Sequence, residues 1–444
     1  MPPRGNKKKK AGYPTRSHKL RVILLPGGRS SAEQSDTDLV DDTASNVSSS
    51  SDLRSLTGEE GIPPPDAIDE TEAQEDFEEK LRDQIDGTTQ KSASGRKSCL
   101  AGLRQTFSRK VLPDFIDNRK VTITDCVERC LKKGKGEEQA LAASVGSLLC
   151  VQLGSREGCE EIYNSLKPIM ITIMNDKSAA ATARAACAQA LGLICFIAAG
   201  DMEEVVDIMT SLEKIFCAAY LKGDGTSPSH SPALQALHCA ALSAWTLLLS
   251  IAPPSKVQEF VKTHLPKLPQ LLQSDDVNMR ITAGEAIALL YELARAEDED
   301  FLGADLDSLC ARLKQLATES VKYIAKNDKR KQRSSFRDIL RGVEEAEAPN
   351  DTVRFSVEEI YLDSWVKKRQ YEAFKDSLGA GVNQHLQENE LLRDIFSLGA
   401  PIDVAAYNKQ NKISRFERHM YNSAAFKART KVRSKQRDKR TVTA

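Results

Sequence analysis

The chain has 444 residues, enough for two or three domains, and its 63 basic side chains balance its 63 acidic ones. No stretch approaches the about 18 apolar residues that span a bilayer, and residues 20–25 are too short for a signal-peptide core, so we expect an intracellular protein without a membrane partner. The ten cysteines are scattered through apolar segments without ligand spacing, so we expect free thiols and no metal site.

The N-terminal arm, residues 1–70, divides into a basic and an acidic part. Residues 1–29 hold nine lysines and arginines and no acid, whereas residues 30–79 hold sixteen acids and one base, Arg54. Tyr13 is the only aromatic residue of the arm, so the arm cannot bury enough apolar surface to offset the entropy of ordering. We predict that it is disordered and binds partners of opposite charge, for which the chain's own basic tail is one candidate.

Residues 71–325 are predicted to form a helical repeat domain. A polar or basic residue opens a helix rich in small apolar residues at five positions, spaced by 43, 45, 51 and 45 residues: Arg96, Gln139, Arg184, Gln235 and Arg280. This spacing is close to the about 40–47 residues of HEAT and armadillo repeats. We therefore predict an all-α, armadillo/HEAT-like helical solenoid. The alternative is an irregular helical bundle in which the spacing is accidental.

Residues 326–400 are predicted to contain a basic helix followed by a compact helical module. In the basic helix, Phe336, Ile339 and Leu340 would contact the body of the protein, with cations around them. A solvated helix end explains the same pattern. In the module, residues 353–355 suggest a short strand, and two groups of apolar residues between 361 and 398 predict helices that end at glycines.

The basic tail, residues 401–444, is predicted to contain a helix. Residues 412–440 hold eleven lysines and arginines against two acids. Apolar residues recur there at helical spacing, which predicts one face that docks on a partner, and the candidate anchors are Ile413, Phe416, Met420 and Tyr421.

From residue 427 the cations of the tail alternate with other residues. On a helix, each step of two residues turns the charge by about 200°, so the cations would cover every side of the rod and suit a tunnel walled by phosphate. In an extended chain they would instead lie along one edge. A solvated tail and a nuclear import signal are the simpler alternatives. The candidate RNA-binding residues in both basic segments are Lys329, Arg330, Lys331, Arg333, Arg337, Arg415, Arg418, His419, Lys427, Arg429, Lys431, Arg433, Lys435, Arg437, Lys439 and Arg440.

Catalytic motifs are missing from the sequence. Gly134-Lys-Gly136 and Gly379-Ala-Gly381 lack the third glycine of a dinucleotide fingerprint, and there is no phosphate loop, GxSxG elbow or HExxH pair. We therefore predict that the protein is not an enzyme and has no catalytic residue, no cofactor and no small-molecule substrate.

Four motifs together resemble the interferon-related developmental regulator family. They occupy residues 130–135, 277–285, 328–334 and 415–431, in the family's order, and the resemblance runs from about residue 74 to residue 440. Residues 136–143 look closer to the second member of that family than to the first. The resemblance implies a non-enzymatic, armadillo-like protein associated with transcriptional co-regulation during differentiation. For the second member it implies translational silencing, with a C-terminal helix in the mRNA channel of the cytosolic ribosome.

Together with the charge pattern of the tail, the resemblance therefore implies a ribosome-binding inhibitor of translation that occludes the mRNA channel with its basic C-terminal helix. Its partners would be the rRNA and proteins of the cytosolic ribosome. The alternative is a nuclear co-regulator whose solenoid binds regulatory proteins. The expected location is the cytoplasm, with the nucleus as a second compartment.

Overall fold

The computed structural model describes residues 70–156, 158–319 and 325–402, together with residues 420, 422–423, 426–427 and 429–431 of the tail. The N-terminal arm lies outside the described residues, so its predicted disorder and its predicted partners of opposite charge stay predictions.

Helices dominate the described residues. Up to residue 402 they contain seventeen α-helices and one β-hairpin: α1 (Glu70–Gly87), α2 (Ala93–Arg109), α3 (Pro113–Asp117), α4 (Lys120–Lys133), α5 (Glu137–Leu153), α6 (Gly158–Asn175), α7 (Ala181–Ala198), α8 (Met202–Phe216), α9 (Pro232–Leu249), α10 (Pro254–His264), α11 (Leu268–Leu271), α12 (Val277–Glu297), α13 (Leu306–Thr318), α14 (Lys326–Glu344), β1 (Asp351–Phe355), β2 (Glu358–Leu362), α15 (Trp365–Leu378), α16 (Val382–Glu388) and α17 (Glu390–Ile395).

The first fourteen helices, apart from the short α3, form a stack of helix pairs. One row, which we call the inner row, consists of α2, α5, α7, α9, α12 and α14, each in contact with the next. The other row consists of α1, α4, α6, α8, α10 with α11, and α13, each packed on its inner helix. The predicted all-α, armadillo/HEAT-like architecture is confirmed, and the five predicted opening residues all lie in inner-row helices.

Four of the five opening residues clamp their helix to the preceding outer helix, whereas the Gln235 side chain forms no hydrogen bond with another described residue. The four side chains donate hydrogen bonds to main-chain oxygens near the end of the preceding outer helix or in the turn after it. The bonds run from Arg96 to Gln90 (2.8 Å), from Gln139 to Leu131 (3.0 Å), from Arg184 to Met174 (2.9 Å) and from Arg280 to Ser274 (2.6 Å). Such a bond satisfies a carbonyl that lacks a helical partner. Gln332 in α14 bonds the Leu316 oxygen of α13 in the same way, at 3.3 Å, and this sixth position was not predicted.

Helix α14 is therefore the inner helix of the sixth pair. Phe336 and Ile339 are completely buried, and Leu340 packs against the same core, so the predicted apolar contact is confirmed. The side chains of Phe336 and Ile339 both lie close to Gly284 of α12, where an added Cβ would be 2.8 Å from the Ile339 Cδ1 atom and 3.0 Å from the Phe336 ring. The boundaries predicted for the four segments, at residues 70, 325 and 400, stay predictions.

The C-terminal module, residues 351–400, lies against the inner row. The Glu292 carboxylate of α12 accepts hydrogen bonds from the main-chain N–H groups of Trp365 and Val366, at 2.7 and 3.1 Å. Farther along, Gln370 donates to the Ser250 hydroxyl, directly after α9, at 3.1 Å, and Asn389 donates to the Val151 oxygen of α5 at 2.9 Å. Part of the inner row is therefore covered by the chain's own module.

The predicted short strand at residues 353–355 is part of β1. Its antiparallel partner β2, in which Ile360 lies opposite Val353, was not predicted. The two-residue connection lacks the Gly or Asn that usually marks such a turn, and Ser356 takes the left-handed conformation instead, with φ of 50°.

We expected no segment with enough apolar residues to span a bilayer, and this expectation is wrong for two helices. Helices α7 and α9 each have 18 residues and are long and apolar enough to cross a membrane. Both lie in the middle of the inner row, and 50% and 61% of their residues are buried inside the stack. A core helix with neighbours on both sides needs the same apolar composition as a membrane helix.

Candidate nucleic-acid interface

The basic face of α14 is produced by the burial of its opposite face. Phe336, Ile339 and Val343 point into the stack, so the cations of the helix are left on the outer side. Arg330, Lys331 and Arg337 are exposed, and Lys329 and Arg333 are half-buried. All five predicted residues of this segment therefore reach the surface at least in part.

The cations of α14 differ in whether the protein supplies a hydrogen-bond acceptor for them. Arg333 donates to the Glu319 main-chain oxygen at 2.9 Å, and Lys331 lies 3.3 Å from the Asn278 side-chain oxygen. Lys329, Arg330 and Arg337 form no ion pair with another described residue. These three charges remain open to a phosphate.

The N-terminus of α14 carries cations where a helix does not favour them. Lys326 and Lys329 lie in or next to the first turn beside one acidic residue, Asp328, and the residue before the helix, Ala325, has no side chain that can cap it. Cations near the positive end of the helix dipole destabilise a helix, whereas an anion there would be stabilised by the dipole and by the unbonded N–H groups. This end of the helix therefore offers cations and unbonded N–H groups to a phosphate, opposed by the single carboxylate of Asp328.

The tail is helical at every described position from Met420 to Lys431. Thr430 donates to the main-chain oxygen of Phe426 at 2.9 Å, as expected for residues four apart on a helix. The described part of the tail thus follows the helical alternative and not the extended one. Lys427, Arg429 and Lys431 are exposed, and the 200° step places Arg429 on the side opposite the two lysines.

Two apolar side chains of this helix are left in contact with solvent. Met420 is 56% exposed and Phe426 is 71% exposed. Met420 belongs to the predicted docking stripe and does not anchor the helix to the described part of the stack. Phe426 was not predicted, because it lies off the stripe that runs through residues 413, 416, 420 and 424.

The other predicted residues of the tail lie outside the described residues and stay predictions. They are Ile413, Arg415, Phe416, Arg418, His419, Tyr421, Arg433, Lys435, Arg437, Lys439 and Arg440.

Burial keeps several of the cysteines protonated. All ten are free thiols, and burial raises the pKa of Cys130 to about 11 and that of Cys187 to about 12. A buried thiol that stays protonated is a poor nucleophile and a poor metal ligand. Across the residues described, no group of three or more His, Cys, Asp or Glu side chains is arranged to hold a metal ion.

Comparisons with known proteins agree with the sequence motifs. Residues 43–344 match the family model "Interferon-related developmental regulator", and residues 389–441 match the model "Interferon-related protein conserved region". The chain is 51% identical to mouse interferon-related developmental regulator 1 over 407 residues, covering 91% of this chain and 90% of that one. It is 52% identical to mouse interferon-related developmental regulator 2 over 380 residues, covering 84% and 85%.

The two identities are nearly equal, so the greater similarity to the second member stays a prediction. Among solved structures, the chain is similar to the crystal structure of an engineered protein, with a TM-score of 0.39 and 15% identity, covering 60% of this chain and 97% of that one.

Proposed function

The chain belongs to the interferon-related developmental regulator family, a family of regulators and not of known enzymes, and from this premise we propose that it inhibits translation by binding the cytosolic ribosome. In this proposal the stack of helix pairs docks on the ribosome and the basic tail helix lies in the mRNA channel. The supporting observation is the tail helix itself, which exposes Lys427, Arg429 and Lys431 together with the apolar side chains of Met420 and Phe426.

The charge of the tail fits an environment of phosphate on several sides. A helix that lies on a flat surface needs cations on one face only, whereas Arg429 and the two lysines point in opposite directions. In a channel walled by rRNA, each cation would lie near a phosphate and release counterions. By analogy with duplex DNA, a complex that neutralises about six to ten phosphates should lose roughly 10³–10⁵ in affinity when the salt concentration rises from 50 to 200 mM.

Sucrose-gradient sedimentation of cell extract at low and raised salt tests the proposal. The variant has Lys427, Arg429, Lys431, Arg433, Lys435 and Arg437 changed to Gln. We expect the unchanged chain to sediment with non-translating ribosomes at low salt and to leave them at raised salt, and we expect the variant to stay at the top of the gradient. If both forms stayed at the top, ribosome binding would be excluded.

A control variant has Lys177, Lys214 and Lys262 changed to Gln. All three lysines are exposed, Lys214 and Lys262 on outer-row helices and Lys177 in the turn after α6, and they form no ion pair with another described residue. The control should sediment like the unchanged chain. An equal loss in the control would mean that net charge, and not the tail, holds the complex together.

A nuclear co-regulator that binds proteins through its solenoid is the second candidate. The observation in its favour is a cleft on the inner row that the C-terminal module leaves open. Deletion of residues 412–444 separates the two candidates: the co-regulator would keep its protein partners in extract, whereas the translation inhibitor would leave the ribosome fraction.

A further inference from the structure

The connection from α8 to α9, residues 217–231, is the longest between an outer helix and the following inner helix of the stack. It spans fifteen residues, against three to seven in the other connections of this kind. Long surface connections often carry function, because they accept changes that packed helices do not. The connection lies in neither basic helix, so the inference drawn from it does not depend on the proposal of ribosome binding.

Both Ser-Pro dipeptides of the chain lie at the end of this connection, and the sequence contains no Thr-Pro dipeptide. They are Ser227-Pro228 and Ser231-Pro232. A proline directly after a serine is the feature that proline-directed protein kinases recognise, because its ring fixes the backbone and it has no N–H group. The dipeptides are equivalent as sequence, whereas the structure places the two serines in different surroundings.

Ser231 is committed to helix α9. It directly precedes the helix, its hydroxyl accepts a hydrogen bond from the Leu234 N–H at 3.4 Å, and its main-chain oxygen accepts one from the Gln235 N–H at 2.9 Å. A kinase binds the residues on both sides of its target as an extended strand. The first turn of α9 would therefore have to open before Ser231 could react, and this opening costs the cap and the first helical hydrogen bond.

Ser227 has no such commitment. The residue is exposed, and its hydroxyl forms no hydrogen bond with another described residue. Residues 227–230 belong to no helix, strand or turn, and no main-chain hydrogen bond to a described residue holds them. A kinase cleft can therefore take in Ser227 together with Pro228 and the two residues after it without unfolding any element. Ser229 is exposed as well but lacks a following proline.

The free segment is anchored at both ends. Before it, the Asp224 carboxylate accepts hydrogen bonds from the N–H group and the hydroxyl of Thr226, at 2.9 and 2.7 Å. After it, the His230 ring lies against the ring of His238 in α9, with centroids 4.6 Å apart, and its Nε2 atom lies 3.1 Å from the Ala218 oxygen. The segment between the anchors is therefore presented to solvent as a short exposed stretch of chain.

We propose that Ser227 is phosphorylated by a proline-directed protein kinase. The Ser227 hydroxyl oxygen attacks the γ-phosphorus of ATP, an O–P bond forms, and the bond from that phosphorus to the β–γ bridging oxygen breaks. ADP leaves with the electron pair of the broken bond, and the hydroxyl proton passes to a carboxylate of the kinase.

Phosphates on the two serines would differ in their effect on stability. A phosphate adds about −1.5 to −2 charges at neutral pH. On Ser227 that charge lies in an exposed segment outside the packed helices, so it changes what the loop can bind and not the stability of the stack. On Ser231 it would lie at the positive end of α9, where an anion stabilises a helix.

Phosphorylation of the full chain by a purified mitogen-activated protein kinase with ATP and Mg²⁺ tests the proposal, with mass spectrometry as the measure of the rate at each serine. We expect Ser227 to react at least about tenfold faster than Ser231, because only Ser231 must first leave its cap. A synthetic peptide of residues 222–236, which lacks the packed helix, should react at both serines at similar rates. No phosphate on Ser227 of the full chain, or equal rates at its two serines, would overturn the proposal.

Two variants and a control locate the phosphate. Ser227→Ala should remove most of the incorporated phosphate, and Pro228→Ala should reduce the rate at Ser227 to that of serines without a following proline. Ser229→Ala, in the same exposed segment, should behave like the unchanged chain. The thermal unfolding midpoint of the phosphorylated chain should equal that of the unmodified chain. Incorporation that persists in Ser227→Ala, or a raised midpoint after phosphorylation, would contradict the assignment.

Discussion

Helix α14 and the tail helix have the same sequence signature and opposite surroundings. Both combine lysines and arginines with apolar residues at helical spacing. In α14 the apolar residues Phe336 and Ile339 are completely buried, whereas Met420 and Phe426 of the tail are 56% and 71% exposed.

The difference shows that the signature predicts a helix with an apolar face but not what covers that face. The stripe of α14 is covered by α12 and α13 of the same chain. No described part of the chain covers Met420 and Phe426 to a similar degree. Burial of such side chains is worth about 1.5–3 kcal/mol each, so the tail has binding free energy to offer a partner.

Truncation of one phenylalanine in each helix should give the largest contrast in stability. We expect Phe336→Ala to lower the free energy of unfolding by about 3–5 kcal/mol, because it opens a cavity beside Gly284. Phe426→Ala should change it by less than about 0.5 kcal/mol, because the ring is exposed. Denaturant unfolding followed by circular dichroism measures both. A large loss in Phe426→Ala would mean that the tail is part of the core.

Neutralisation of the three described tail cations should act on binding and not on folding. We expect the variant with Lys427, Arg429 and Lys431 changed to Gln to lose roughly 10–100-fold in ribosome affinity at low salt and about three units of the salt slope. Its unfolding midpoint should stay the same. Binding titrations at several salt concentrations provide the test, with the Lys177, Lys214 and Lys262 variant as the control, and an unchanged slope would exclude phosphate contacts by these residues.

Stability should depend on pH through Glu285, which lies in neither basic helix. Burial, and then the neighbouring charge of Glu372, raise its pKa to about 8 in the folded chain, above its ordinary value of 4.5, so the folded state holds a proton that the unfolded state loses first. Stability contributed by the neutral form is therefore lost between about pH 5 and pH 8. We expect Glu285→Gln to be about 1–2 kcal/mol more stable than the unchanged chain at pH 8 and nearly equal to it at pH 5.

Thermal unfolding across this pH range measures the difference, with Glu161→Gln, an exposed position on the outer helix α6, as the control. Parallel pH profiles for Glu285→Gln and the unchanged chain would show that the Glu285 carboxyl is not perturbed.

The smallest effect is expected at the N-terminus of α14. Changing Lys326 and Lys329 to Gln removes cations from the positive end of the helix and should raise stability by about 0.3–1 kcal/mol. If α14 also contacts RNA, ribosome affinity should fall at the same time. A gain in stability without any loss of affinity would confine the RNA contact to the tail.

The stack was predictable because one polar or basic residue recurs at the same position of successive repeats. Arg96, Arg184 and Arg280 recur at nearly constant spacing since each must reach the carbonyl group at the end of the preceding helix or turn. The sixth repeat was missed because its clamp is Gln332, one polar residue within a basic run.

The cleft on the inner row was not predictable from the sequence pattern. Glu285 and Glu372 belong to helices far apart along the chain, and only the packing of α15 on the inner row brings them to one site. Nor does periodicity indicate which apolar residues stay exposed, since Phe426 lies off the predicted stripe and Met420 lies on it.

Occupation of the mRNA path by the tail helix is tested most directly by competition on purified ribosomes. A labelled, unstructured mRNA oligonucleotide is bound first, and the full chain is then added. We expect the two to exclude one another, the variant with Lys427, Arg429 and Lys431 changed to Gln to lose this exclusion, and the Lys177, Lys214 and Lys262 control to keep it. Simultaneous binding of the oligonucleotide and the unchanged chain to one ribosome would contradict occlusion.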